Sequence, residues 1–311
     1  MNRKKLDTIH IHGLNVVIIL GLILIFIFDN KARLMSPMLA LSISESQISN
    51  TNQYDKLAQN ITDTKDKNKV VLKVNDSKLK NKIVGLSAII YDVNNNTTLW
   101  SYNTNKTWSL ASMTKVMTAY IYKKYCDKSI NYSGLKWSSD DALRFMLIES
   151  SNGMANSLAS NCMVYKDFIA QMNTEAEELE LNLHYTNSSG LDSPGVIGGR
   201  GDAISIATFF AIASMKYPVI FDGTTHSSSL VPVTNYKGNA MVQAINTNQG
   251  IEYINGARMS KTGLTDYAGG NLGIVYDIYV GRPLVLIVLG STKEGRFQDI
   301  EILKNSIYTQ Y

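Results

Sequence analysis

Ser112-Met113-Thr114-Lys115-Val116-Met117-Thr118-Ala119 heads an apolar-periodic segment and sets a hydroxyl three residues ahead of an amine. Val116, Met117, Tyr120 and Ile121 follow a 3.6-residue period, which predicts a helix over 112–125. On a helix, residues i and i+3 share a face, so the Lys115 amine reaches the Ser112 oxygen. Serine is a poor nucleophile until a nearby base takes its proton. Lysine can be that base only when desolvation or a second cation lowers its pKa. A hydroxyl at a helix start also lies among unpaired backbone N–H groups, which stabilise an oxyanion. Alone the spacing is weak: Ser77/Lys80 and Ser133/Lys136 repeat it, and an ordinary helix N-cap explains Ser112 as well.

Two further clusters change that reading. Ser150-Ser151-Asn152 lies between two predicted helices, one opened by a Ser138/Asp141 capping box and running through Ile148, the other spanning 154–163. Polar side chains there either turn the chain or face a cleft, where a hydroxyl relays protons and an amide holds substrate and Lys115. Lys261-Thr262-Gly263 lies on a predicted strand over 256–263, and Lys-Thr-Gly occurs nowhere else in the chain. Thr262 offers a hydrogen bond to a substrate carboxylate, and Lys261 adds positive charge that helps keep Lys115 neutral. Gly263 is expected to let a substrate backbone approach closely. In this order and context the clusters form the set found in penicillin-binding proteins and class A β-lactamases.

Outward from these clusters, 84–91 reads as a strand, 94–96 as a turn and 97–102 as the returning strand. Helices are predicted over 167–181 and 203–215, strands over 271–280 and 284–290, and a short helix from about 297. Strands, then helices, then strands predict an α/β chain of the α+β type, an antiparallel sheet flanked by helices whose first hairpin packs beside the last strands. At the N-terminus, Arg3, Lys4 and Lys5 precede an uncharged apolar run over 14–28. Asp29, Lys31 and Arg33 follow it rather than a small-x-small cleavage site, so an uncleaved membrane helix is favoured over a removed signal peptide. The expected organisation is a membrane anchor or signal segment over 1–30, a flexible polar tether over 31–82 and a folded domain over 83–311. With the positive end inside, that domain is expected on the extracytoplasmic face, anchored, or secreted if the segment is cut.

The 311 residues are 45% hydrophobic and 18% charged, enough for a sizeable core. A net charge of +4, with Lys and Arg scattered, excludes a nucleic-acid partner. Four His and two Cys residues show no metal-ligand spacing, so neither metal nor cofactor is expected. Cys126 and Cys162 are read as two buried free thiols in preference to a disulfide.

From about residue 83 to the C-terminus the chain resembles the low-molecular-mass D-alanyl-D-alanine carboxypeptidases, serine peptidases of the penicillin-binding class. Besides the three clusters, Asn187-Ser188-Ser189-Gly190-Leu191-Asp192 and Lys261 through Gly269 carry the likeness. The resemblance implies a penicilloyl-serine transferase (β-lactamase-like) fold with Ser112 as nucleophile and Lys115 as proton acceptor. Ser150 and Asn152 would complete the cleft, Lys261 and Thr262 would bind the substrate carboxylate, and the N–H groups of Ser112 and Leu264 would form the oxyanion hole. The implied partners are a peptidoglycan stem peptide ending in D-Ala-D-Ala and β-lactams as inhibitors, with membrane attachment through the N-terminal helix. Many members carry a second β-rich domain and a C-terminal amphipathic helix. The residues after Lys261 suffice only to finish the sheet and one helix, a short form that also resembles the endopeptidases that cut crosslinks. Arg258-Met259-Ser260 departs from the usual small, apolar approach to Lys261.

Two rival readings are weaker. A class A-like β-lactamase needs a carboxylate to activate the deacylating water. Glu178-Leu179-Glu180-Leu181-Asn182 imitates that loop, but Met172, Ala176, Leu179 and Leu183 have helical spacing that turns the glutamates to solvent. A non-catalytic penicillin-binding module has no need of both Ser112 and Lys115.

Overall fold

The computed structural model describes residues 71–310, so the apolar run over 14–28 lies outside the described residues. The strands are β1 (Val71–Val74), β2 (Ser87–Asp92), β3 (Thr97–Tyr102), β4 (Trp108–Ser109), β5 (Ile130–Tyr132), β6 (Leu135–Trp137) and β7 (Leu183–Tyr185). They continue with β8 (Gly199–Gly201), β9 (Ser228–Asn235), β10 (Gly238–Ile245), β11 (Ala257–Thr265), β12 (Gly269–Asp277), β13 (Pro283–Ser291) and β14 (Ile307–Gln310). The helices are α1 (Lys115–Tyr125), α2 (Ser139–Glu149), α3 (Asn152–Cys162), α4 (Tyr165–Glu178), α5 (Ala203–Lys216), α6 (Pro218–Phe221) and α7 (Gly295–Asn305).

Every position of β2 is buried. A strand buried throughout must be covered on both faces, and alternate side chains then enter different cores. Ile89 and Tyr91 of β2 join Val285, Ile287 and Leu289 of β13 in one cluster with α1 and α5. Ala88 and Ile90 join Leu284, Leu286 and Val288 in the other, against Ile300 and Leu303 of α7. The antiparallel sheet has the order β11-β12-β13-β2-β3, so the first hairpin does pack beside the last strands. This is the antiparallel sheet flanked by helices that the sequence predicts.

Folded structure starts earlier than the expected tether boundary. β1 begins at Val71, not Ile83, and pairs antiparallel with β14, placing Leu72 in the second core. The four-stranded sheet β10-β9-β6-β5 has no counterpart in the sequence reading. Pro232 masks β9, because proline argues against a paired strand; β6 meets β9 at Lys136↔Thr234, away from the proline. Among the described residues no single helix is long and apolar enough to cross a membrane.

α1 is the hub of the helical side, packed against α2, α3, α4 and α5. Its residues from Lys115 through Tyr122 are all buried, which is how a helix inside a bundle differs from the one-faced helix its periodicity suggests. Cys126 caps its C-terminal end and is disulfide-bonded to Cys162, the last residue of α3, with Cα atoms 5.5 Å apart. The expectation of free thiols is therefore corrected: α1 and α3 end side by side and bring the sulfurs together. A bridge spanning 36 residues stabilises by about 4 kcal/mol in the chain-entropy account. Urea unfolding of the Cys126→Ala/Cys162→Ala double variant should show a loss of that order; a change within about 1 kcal/mol would contradict it.

Candidate active site

Ser112 lies in a 3-10 turn, Ala111–Thr114, immediately ahead of α1, rather than in the α-helix itself. Ala111 holds φ at +48°, a left-handed conformation unfavourable for a residue with a Cβ. The strain sits directly before Ser112 and turns the chain sharply there. Lys115, the first residue of α1, is fully buried. Its Nζ lies 2.8 Å from Ser112 Oγ, 2.7 Å from Asn152 Oδ1 and 2.7 Å from the Ser189 carbonyl oxygen. Desolvation lowers the Lys115 pKa to about 7. Each side of this arrangement has a local cause. Ser151 caps α3 by accepting from Met154 N at 3.2 Å, which places Asn152 at the helix start. Thr118 Oγ1 donates to the Ser188 carbonyl at 2.6 Å and pins the segment that presents Ser189.

The second lysine is placed in parallel fashion. Lys261, 1% exposed on β11, donates to Ser150 Oγ at 2.9 Å and to the Thr262 carbonyl at 3.1 Å. Its pKa is driven well below the usual lysine range by burial first, then by the charges of Lys115 and Arg296. Ser150 ends α2 at φ +57°, again left-handed, which swings its hydroxyl out of the helix toward β11. Ser112, Ser150, Thr262 and Leu264 line one cleft of about 370 Å³ together with Thr247 and Arg296. Gly263 is also needed for a reason the sequence does not show. A Cβ there would stand 2.6 Å from the Leu110 carbonyl oxygen and 3.3 Å from Ala111 Cβ. Here the protein's own backbone, in the turn before Ser112, approaches Gly263 closely.

Several groups escaped the sequence reading. Ser189 contributes through its carbonyl, and a backbone acceptor leaves no residue-type signature. Arg296, 5% exposed, donates from Nη1 to the Gly263 carbonyl at 2.9 Å, while its buried Nε has no partner among the described residues. A guanidinium that lines the cleft is suited to receive a carboxylate. No acid forms an ion pair with Lys115, Lys261 or Arg296 among the described residues, and among the charged residues lining the cleft Arg296 and Lys293 outnumber Glu294. Thr262 Oγ1 shares a 2.5 Å hydrogen bond with Thr247 Oγ1. Asp192 ties the site's frame: it accepts from Ser109 Oγ at 2.9 Å, from Gly198 N at 2.8 Å and from Thr265 Oγ1. Glu178 and Glu180 are exposed at the end of α4 and line no part of the cleft, so the β-lactamase-like stretch supplies no deacylating carboxylate.

Comparison with known proteins identifies the family. The model of the D-alanyl-D-alanine carboxypeptidase family (Peptidase S11) matches residues 129–293, a span that includes Ser150, Asn152 and Lys261. The D-alanyl-D-alanine endopeptidase of Escherichia coli K12 is 28% identical over 246 residues, 72% of this chain and 77% of that protein. Its namesake from Pseudomonas aeruginosa is 28% identical over 247 residues, with the same 72% and 77% coverage. Among solved structures, penicillin-binding protein D2 of Listeria monocytogenes bound to ampicillin superposes with a TM-score of 0.62 and 25% identity, covering 72% of this chain and 97% of that one. The Streptomyces K15 DD-transpeptidase, at 20% identity, shares the fold with a TM-score of 0.62 over 72% and 97% of the two chains. The architecture is thus the penicilloyl-serine transferase fold. Because the family model covers more than half of the sequence, the chain belongs to the D-alanyl-D-alanine carboxypeptidase family of serine peptidases.

Proposed function

We propose that Ser112 is the nucleophile of a D-Ala-D-Ala carboxypeptidase that trims peptidoglycan stem peptides through an acyl-enzyme. The observation that carries this is the coordination of Lys115. A neutral amine has two N–H donors and one lone pair. The Asn152 and Ser189 oxygens can only accept, so they take the two donors and leave the lone pair for the Ser112 hydroxyl. With a pKa of about 7, Lys115 is substantially neutral near physiological pH.

In this reading Lys115 takes the proton as Ser112 Oγ attacks the carbonyl between the two D-alanines. The oxyanion is received by the N–H groups of Ser112 and Leu264, both residues of the cleft wall. Ser150, held by Lys261, relays a proton to the departing amine, and water then releases the shortened peptide. Thr262 and Arg296 bind the terminal carboxylate. β-Lactams imitate the D-Ala-D-Ala end and acylate the same serine. Arg296→Gln should raise KM about 10- to 100-fold for a carboxylate-ended peptide, the loss of a charge-assisted hydrogen bond. An amidated peptide should be far less affected; equal losses on both would argue against carboxylate binding.

The catalytic unit is assigned to the extracytoplasmic face of the membrane, attached through the run over 14–28 or released if that segment is cut. The Cys126–Cys162 disulfide supports an oxidising compartment. A second reading, cleavage of crosslinks, is favoured by the name borne by the two relatives at 28% identity, D-alanyl-D-alanine endopeptidase.

D-Alanine release from a pentapeptide ending in D-Ala-D-Ala tests the proposal. The full chain should release it and Ser112→Ala should not. Release that persists in the variant, or none from the wild type, would overturn the assignment.

A further inference from the structure

The two oxygens that fix the aim of the Lys115 lone pair both depend on α3. Asn152, the first residue of α3, supplies one directly. Asn156, at i+4 on the same face, holds the other at one remove. Its Oδ1 accepts from Ser188 Oγ at 2.8 Å, and Ser188 precedes the residue whose carbonyl meets Lys115 Nζ. Thr118 of α1 and Tyr165 of α4 hold the same segment, through the Ser188 carbonyl at 2.6 Å and the Ser188 N–H at 3.2 Å. Where α3 stands relative to α1 therefore decides whether both donors of the amine stay occupied and the lone pair faces Ser112.

Two ties set that relation. α1 and α3 each span 11 residues, about 16 Å of axis. They run parallel, because Lys115 meets Asn152 at their starts and Cys126 is bonded to Cys162 at their ends. Between the ends, the buried residues of α3 are Met154, Ala155, Leu158 and Ala159. Two alanines among these four make shallow ridges, which resist sliding along α1 less than long side chains would. A helix of three turns moves as one piece, so a shift at Cys162 reappears at Asn152.

We infer that the Cys126–Cys162 disulfide is a positioning element for the Lys115 base, holding α3 in register with α1 so that Asn152 and the Ser189 carbonyl stay on the amine; the inference rests on the acyl-enzyme reading of Ser112. Without the bridge α3 draws back, and water reaches Lys115. Burial is what lowers the Lys115 pKa, so rehydration raises it. The charged groups on neighbouring elements are engaged elsewhere. α2 turns Glu149 to the Ile245 N–H and Asp140 to Lys123, α4 sets Glu175 on Lys124, and α5 sets Lys216 on Tyr120. α3 itself carries no charged residue, and Lys261 of β11 bears on Lys115 through charge.

The test is penicillin acylation of the full chain across a pH series, for wild type, the Cys126→Ala/Cys162→Ala double variant and Asn156→Ala. Adduct stoichiometry counts folded sites, and the rate constant per site reports alignment, so lost stability and lost positioning are read apart. In the double variant the rate constant at neutral pH should fall about tenfold and the midpoint of the pH profile should rise by about one unit. Asn156→Ala keeps the bridge and should move both quantities the same way. A double variant or an Asn156→Ala variant whose rate constant and midpoint match wild type would overturn the inference alone. A double variant that takes up no penicillin while wild type does would also overturn it, because the bridge would then serve folding and not alignment. Failure of the wild type to take up penicillin would instead remove the acyl-enzyme reading beneath it.

Discussion

Lys115→Met should lower the rate of acylation by penicillin about 10³-fold or more, the range expected when a general base is removed. The same base predicts the pH profile of the wild type. Only neutral Lys115 accepts the Ser112 proton, and its pKa is about 7. Acylation should therefore fall about tenfold per pH unit below 7 and level off above it. Stability moves in a linked way. The folded-state pKa lies below the ordinary 10.5, so burial of Lys115 destabilises the fold fully below pH 7 and less as pH rises toward 10.5. The penalty is at most about 5 kcal/mol, and it is absent from Lys115→Met. The advantage of the variant over wild type in urea unfolding should thus shrink by about 3 kcal/mol between pH 7 and pH 10. A pH-independent difference would mean that Lys115 remains charged in the folded protein and is not the base.

Gly190→Ala should be the most damaging substitution that touches no reacting group. Gly190 sits at φ +74°, and a Cβ there would stand 1.8 Å from the Ala111 carbonyl oxygen and 2.6 Å from Thr114 Oγ1. Most of that clash is with backbone, so no side chain can swing away. Either the turn bearing Ser112 shifts or the Ser189 carbonyl draws back from Lys115. A displacement of about 1 Å at a reacting pair costs about 10²-fold in rate. The overpacking and left-handed strain together should lower stability by about 3 kcal/mol. Gly195→Ala is the control: φ is +76° there too, but none of the described residues comes within 4 Å of an added Cβ. It should cost about 1 kcal/mol from the left-handed backbone alone and leave acylation within about twofold. If both variants acylate normally, contact between Gly190 and the nucleophile turn does not position the site.

These two substitutions mark the boundary of what the sequence could tell. Lys115 was legible because serine and lysine at i and i+3 have a chemical meaning that survives without coordinates. The Ser150/Asn152 and Lys261/Thr262 clusters are legible for the same reason: Ser150 and Thr262 line one cleft with Ser112 and Leu264, while Asn152 bonds Lys115 and Lys261 bonds Ser150 behind it. The role of Gly190 depends on which backbone occupies the space a Cβ would take, and that is a property of the tertiary fold. Arg296 stands alone in the sequence, and only the packing of α7 against β12 and β13 puts it under Gly263. The β1–β14 pair was hidden because Val71-Leu72-Lys73-Val74 is short and set among polar residues, so its burial is fixed by a partner more than two hundred residues away. The disulfide is not legible in the sequence, because two half-buried cysteines look like small core residues and only the fold ends α1 and α3 together.

The most direct test of the central claim is the intact mass of the full chain after incubation with a penicillin, followed by peptide mapping, for wild type and Ser112→Ala. The account predicts a single, slowly reversed adduct on Ser112 that is missing from the variant. No adduct with the penicillin left intact, or an adduct that persists in Ser112→Ala, would contradict it.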